Sequence, residues 1–245
     1  MTKSKSKINL LYISSSRADY GIVRLFLKKI NSSNRFNLKL IVTGSHLEIN
    51  KGFTISEIIN DKFNIFGKIK INSNFYNDES SSVTKILSKF SSMINLAKPD
   101  IILLLGDRKE IFISAIASFN SNIKIIHISG GEKTIGSKDD IHRHLISKMS
   151  DYHFTSTSIY KKRLVQLGEN KSNIFMTGSL ATDNIHNLKL KSKRDLEKLF
   201  NFNFASKNIL ISFHPDTSVS NYDAHDFEIL LKSLKKIKNK LLIFT

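Results

Sequence analysis

The chain of 245 residues contains no cysteine. That absence excludes a disulfide framework, a thiolate nucleophile and any zinc or iron–sulfur site built on cysteine. Long apolar runs are missing as well, since nothing approaches the roughly 20 residues a helix needs to cross a bilayer. The opening MTKSKSK followed by INLLYIS has the outline of a secretion signal. Serine and arginine close the apolar stretch too early, however, and no small-residue cleavage site follows, so the cytoplasm is the expected compartment. No GxGxxG, GxxxxGK[ST] or GxSxG occurs, which removes the main support for a dinucleotide site, a P-loop or an α/β-hydrolase elbow. Internal repeats and low-complexity tracts are absent too.

Acidic residues are scarce, 21 against 38 lysines and arginines, for a formal charge of +17. An excess of this size commonly marks a polyanionic partner. Here the lysines are scattered among abundant isoleucine, asparagine and serine, as compositional bias would leave them, so neither nucleic acid nor membrane is an expected partner. With 40% hydrophobic residues, the chain can bury one full core and begin a second.

What the chain does have is a repeating alternation of apolar runs and helical patterns. Strands are predicted at 8–13, 38–42, 65–71, 101–105 and 123–128, with helical periodicity at 22–30, 55–59, 83–96 and 111–119. Pro99 ends the third helix. Further strand–helix units follow at 152–168, 173–188 and 207–238, and a last strand at 241–244. The alternation predicts an α/β fold with a doubly wound parallel sheet. A boundary falls in the lysine-rich stretch NLKLKSKRDLEK, giving a Rossmann-like domain over 1–187 and the start of a second over 188–245.

Ligands of such sheets bind beyond the carboxyl ends of the strands. The residues there are SSSRADY (14–20), TGSHL (43–47), GDRKE (106–110), the long stretch from His127 to His144, and His214 to Thr217. Each has a bland reading. Arg17 and Asp19 could cap the first helix, Asp107 could be an N-cap, and Asp139 and Asp140 could cap a later one. His46 could be an ordinary loop histidine, and His142 and His144, two residues apart, point to different helix faces, so no metal site is expected. Gly130 and Gly131 permit a close backbone approach beside Glu132. Five successive strand ends bearing His, Arg or carboxylate exceed what capping requires.

The motifs RADYG (17–21), VTGSHL (42–47), LGDRKE (105–110), HISGGEKTIGSKDDIHRHLISKMS (127–150), HF (153–154) and FHPDT (213–217) resemble the UDP-N-acetylglucosamine 2-epimerase family. The GGE, DD and RH elements resemble its hydrolysing branch, from sialic and legionaminic acid biosynthesis. The resemblance implies two glycosyltransferase-B-like domains, the second cut short here, and a homodimer when full length, without cofactor. It also implies elimination of UDP from UDP-GlcNAc or a diacetamido analogue, then hydration to ManNAc or its analogue.

By position, Asp107, Glu132 and Asp139 match catalytic carboxylates, while Arg143 and His214 match groups beside the diphosphate and reacting sugar. Arg17, Asp19, His46, Arg108 and Asp140 fall at substrate-binding positions. One departure is Ser129, where many relatives carry a glutamate; serine cannot act as that base, so either Glu132 takes the part or activity is impaired. Two other readings stay open: a non-hydrolysing epimerase, and a non-catalytic remnant or half of a split enzyme.

Overall fold

Strand runs that are apolar on both faces need cover on both faces, and the computed structural model supplies it. It describes residues 6–77, 80–135, 137–213, 223–238 and 241–244. The elements in chain order are β1 (Ile8–Ser14), α1 (Arg17–Ser32), β2 (Phe36–Thr43), α2 (Ile55–Asn60), β3 (Ile65–Ile69), α3 (Ser73–Tyr76), α4 (Ser80–Ala97), β4 (Ile101–Leu105), α5 (Lys109–Asn120), β5 (Lys124–Ile128), α6 (Lys138–Lys148), β6 (Tyr152–Thr155), α7 (Ser158–Gln166), β7 (Ile174–Met176), α8 (Leu180–Asn187), α9 (Lys193–Phe200), β8 (Asn208–Ile211), α10 (Asp223–Lys235) and β9 (Leu241–Phe244).

The chain divides into two compact units, 1–186 and 187–245. In the first, seven parallel strands run in the order β3-β2-β1-β4-β5-β6-β7. Strand order reverses between β1 and β4, which pair with Leu10 opposite Ile101. In open α/β sheets this reversal splays the loops on either side and opens the crevice where ligands sit.

Side chains alternate across each strand. Leu11 and Ile13 of β1 enter one core with Ile86, Phe90 and Ile94 of α4 and Ile111 of α5. Leu10 and Tyr12 enter the other, with Val23 and Leu27 of α1 and Ile55 and Ile58 of α2. The doubly wound parallel sheet expected from the sequence is therefore present.

The second unit holds a parallel pair, β8 and β9, with Asn208 opposite Leu241. The lysine-rich stretch in which the boundary was expected contains the start of α9, a helix the sequence pattern had not suggested. Ser192 caps this helix by accepting from the Asp195 amide, and Ser192 Oγ in turn donates to the Asp195 carboxylate at 2.6 Å. Asn201 closes it in the left-handed conformation. Lysines on an exposed helix face masked this cap.

Leu11 is fully buried whereas Leu96 on α4 is 73% exposed. Leu11→Ala is therefore expected to cost about 2–5 kcal/mol in urea unfolding and Leu96→Ala less than about 0.5 kcal/mol. Equal losses at the two positions would contradict the two-layer core.

Candidate active site

At the end of β1 three serines, Ser14 to Ser16, are buried. Ser16 is the N-cap of α1, accepting from the Asp19 amide at 3.2 Å, while the hydroxyls of Ser15 and Ser16 donate to the Asp19 carboxylate at 2.9 and 2.7 Å. Asp19 is thus the residue whose amide and carboxylate both meet the capping hydroxyl, and the cap itself is Ser16. Arg17 points outward and pairs with Glu57 at 2.9 Å.

After β2 the backbone turns through a short 3-10 helix, and His46 is fully buried there. Its Nε2 lies 3.0 Å from Ser14 Oγ and its Nδ1 2.8 Å from Thr54 Oγ1. Both ring nitrogens are taken by the protein. His46, expected to meet substrate, therefore braces the loop after β1 and offers no ring atom to a ligand in this arrangement. Burial pushes its pKa down to about 4.

After β4, Gly106 takes a positive φ of 77°, and Asp107 follows. The N-cap position of α5 belongs to Arg108 and carries no side-chain cap, so the reading of Asp107 as a helix cap does not hold. Instead Asp107 Oδ2 accepts a hydrogen bond from Arg143 Nη2 on α6. Burial raises the pKa of Asp107 above the usual carboxylate value; Arg143 opposes the rise, and the charges of Asp139 and Asp19 add to it. Arg108 donates from Nε to the buried Glu110 at 2.9 Å and lies 4.0 Å from Asp19.

The segment between β5 and α6 begins with a sharp turn. Ser129 has φ of 66° and donates its amide to the Phe154 carbonyl of β6 at 3.0 Å. Gly131 has φ of 77°, and a Cβ there would stand 2.4 Å from the Tyr160 carbonyl oxygen. Only glycine tolerates both conditions, which bears out the close approach expected beside Glu132. Glu132 accepts from Ser156 Oγ at 3.3 Å.

Ser137 caps α6, leaving the two adjacent aspartates with different tasks. Asp140 accepts from the Thr134 amide at 2.7 Å and pairs with Arg143 Nη1 at 3.4 Å. Asp139 is 54% exposed, 3.7 Å from His142 Nδ1, and His142 stacks on Phe112 with ring centroids 4.9 Å apart. Arg143 also donates to Thr134 Oγ1 from both terminal nitrogens, at 3.2 and 3.3 Å. Its Nε is buried without a hydrogen-bond partner among the described residues.

Of the ten expected site residues, Asp107, Arg143 and Asp140 are in direct contact, and Asp19, Arg108 and Asp139 adjoin them electrostatically. Arg17, His46 and Glu132 are bonded elsewhere. His214 lies outside the described residues, as do the other members of its motif from 215 to 217. Among the described residues no group of three or more His, Asp or Glu is placed to hold a metal ion, and no helix is long and apolar enough to cross a membrane.

Sequence reasoning passed over two structural members of the site, Thr134 and His127. A histidine inside the apolar strand KIIHI was the available signal for the second.

The strand order and the buried arginine held beyond the carboxyl ends of β4 and β5 define a doubly wound α/β protein with its polar cluster where such sheets bind ligands. A family profile described as UDP-N-acetylglucosamine 2-epimerase matches residues 28–245, and the chain belongs to that family. It is 38% identical over 244 residues to the hydrolyzing GDP/UDP-N,N'-diacetylbacillosamine 2-epimerase of Campylobacter jejuni, covering 98% of this chain and 63% of that protein. It is 36% identical to the hydrolyzing UDP-N,N'-diacetylbacillosamine 2-epimerase of Legionella pneumophila, covering 84% of this chain and 55% of that protein. The chain thus spans less than two thirds of the length of these relatives. Among solved structures, the UDP-GlcNAc 2-epimerase of Neisseria meningitidis, bound to UDP-GlcNAc, shares the fold with a TM-score of 0.77 at 20% identity, covering 97% of this chain and 72% of that one.

Acid should loosen this region. His46 and His127 are fully buried, with pKa values pushed down by burial from about 6.5 to about 4 and about 3. Below pH 6.5 the unfolded chain binds protons at both that the native state refuses, so stability falls as pH drops from 6.5 toward 4 and 3. Each group contributes a slope of up to about 1.4 kcal/mol per pH unit in its window. Urea midpoints at pH 7 and pH 5 test this, and His127→Gln is expected to show a shallower decline.

Proposed function

We propose that this protein is a hydrolysing 2-epimerase of UDP-N-acetylglucosamine or a diacetamido analogue, releasing UDP and the free 2-epimeric sugar. The reading is carried by the Asp107–Arg143 pair beyond the carboxyl ends of β4 and β5, with Asp139 near enough for its charge to act on Asp107.

Elimination removes the C2 proton to a base while the C1–oxygen bond breaks and the diphosphate leaves, giving a glycal. Water then adds at C1 as a proton returns to C2. Proton carriers are needed for both halves, and each positioned acid or base typically contributes about 10² to 10⁴ in rate. A carboxyl whose pKa is raised by burial holds and delivers a proton closer to neutral pH than an ordinary aspartate, which suits Asp107. Asp107 is held by Arg143 whereas Asp139 is 54% exposed, which supports separate roles for the two carboxylates. Asp140, committed to Thr134 and Arg143, is assigned to holding the arginine, and Glu132 stands as a third carboxylate beside Ser156.

Arg143 is largely neutralised by its two aspartates, so its main part is to fix Asp107, with the buried Nε as its remaining donor. Arg17, exposed and paired among the described residues with Glu57, is the more available cation for the diphosphate. The compartment is taken as cytoplasmic and the assembly as a homodimer, the latter to be read by light scattering.

Incubating the protein with UDP-GlcNAc and with its diacetamido trideoxy analogue is expected to release UDP and free 2-epimer from one of them. Asp107→Asn is expected to lower kcat at least about 100-fold while leaving the fold intact by circular dichroism. Folded protein that frees UDP from neither sugar sinks the assignment.

A further inference from the structure

His127 sits in β5 with no solvent exposure, and its ring is wedged between three segments of the site. Nε2 lies 2.8 Å from the carbonyl oxygen of Gly106, the residue before Asp107. A carbonyl can only accept, so Nε2 carries the proton, and in the neutral ring Nδ1 is left as the acceptor. Nδ1 lies 3.0 Å from Ser147 Oγ on α6. The Ser147 hydroxyl is also 3.0 Å from the carbonyl oxygen of Arg143, one turn earlier on that helix, so its single proton is shared between two acceptors, that carbonyl and His127 Nδ1.

The third segment is the turn at Gly130. A Cβ there would meet Ser147 Oγ at 2.9 Å and His127 Nδ1 at 3.0 Å, so the serine–histidine contact is packed directly against bare backbone. One side chain therefore ties the backbone before Asp107 to the helix that carries Arg143.

We propose that His127 is a positioning residue that sets the geometry of the Asp107–Arg143 pair, holding the Gly106 carbonyl with one ring nitrogen and α6 through Ser147 with the other. The inference rests on the reading of Asp107 as a proton carrier. His127 touches neither partner of the pair and acts through the backbone on one side and through Ser147 on the other. A core histidine serving only to fill space would have no need for two directed bonds to these two segments. In a buried site each such bond is costly to leave unmade, so the two segments are locked in register with each other.

His127→Leu removes both bonds at similar volume, whereas His127→Gln retains an N–H that reaches toward the Gly106 carbonyl. Carbon-13 titration of the aspartate carboxyls in the 245-residue chain, with the Asp107 signal identified by Asp107→Asn, reads the pair without turnover. In His127→Leu the Asp107 carboxyl is expected to titrate at least about half a unit higher than in the wild type, because a buried carboxyl that loses its cation holds its proton more tightly. His127→Gln is expected to recover most of that shift.

A folded His127→Leu protein with an unaltered Asp107 titration overturns the proposal. If that variant does not fold, Ser147→Ala cuts only the link to α6; an upward shift there supports the proposal and an unchanged Asp107 overturns it. In the UDP-release assay His127→Leu is expected to lower kcat about tenfold with KM within about twofold, recovered by His127→Gln. Absence of UDP release from the wild-type protein would instead count against the assigned reaction, and the carboxyl titration would still decide the positioning.

Discussion

A buried guanidinium is the constraint around which the carboxyl ends of the central strands are arranged. Arg143 is 7% exposed, and an arginine taken out of water without partners costs several kcal/mol. Its partners come from three places: Asp107 from the loop after β4, Asp140 from its own helix, and Thr134 from the segment before that helix. Satisfying one cation thus fixes three pieces of backbone relative to each other. Asp140 doubles the effect, because its other contact is the Thr134 amide.

The same packing explains why neighbouring carboxyls behave differently. Asp107 is raised because burial outweighs the attraction of Arg143. Asp61, its side chain less exposed than that of Asp107, goes the other way: burial pushes it up, but Arg24, Lys28 and the Tyr20 hydroxyl together hold it below the usual range. One cation shared between two acids leaves a proton-accepting group; two cations on one acid leave a structural ion pair. The glycines at 130 and 131 belong to the same arrangement, since they let β5 turn tightly enough for His127 and Ser147 to meet across the backbone.

Much of the fold was legible in the order of residues. The run 101–105 is β4 to the residue, and the helical periodicity of 83–96 falls within α4, which ends before Pro99. The cap in SRAD, residues 16–19, was legible only in part, because the sequence suggested Arg17 and Asp19 as caps where Ser16 takes the role. The cap that starts α9 was hidden by its lysines. His46 shows the limit more sharply: a histidine in a polar loop motif reads as a ligand contact, yet both its nitrogens are consumed internally by Ser14 and Thr54, 32 and 8 residues away in sequence.

The sequence by itself determined the strand–helix alternation, the location of polar residues at strand ends and the family, because periodicity and short motifs are local properties of the chain. Tertiary structure alone decided that Asp107 meets Arg143 across 36 residues, that Asp140 and not Asp139 shares that arginine, and that His127 joins the two sides. Those outcomes depend on the strand reversal that sets β4 between β1 and β5, and on which side chains that reversal leaves without water, which no local pattern encodes.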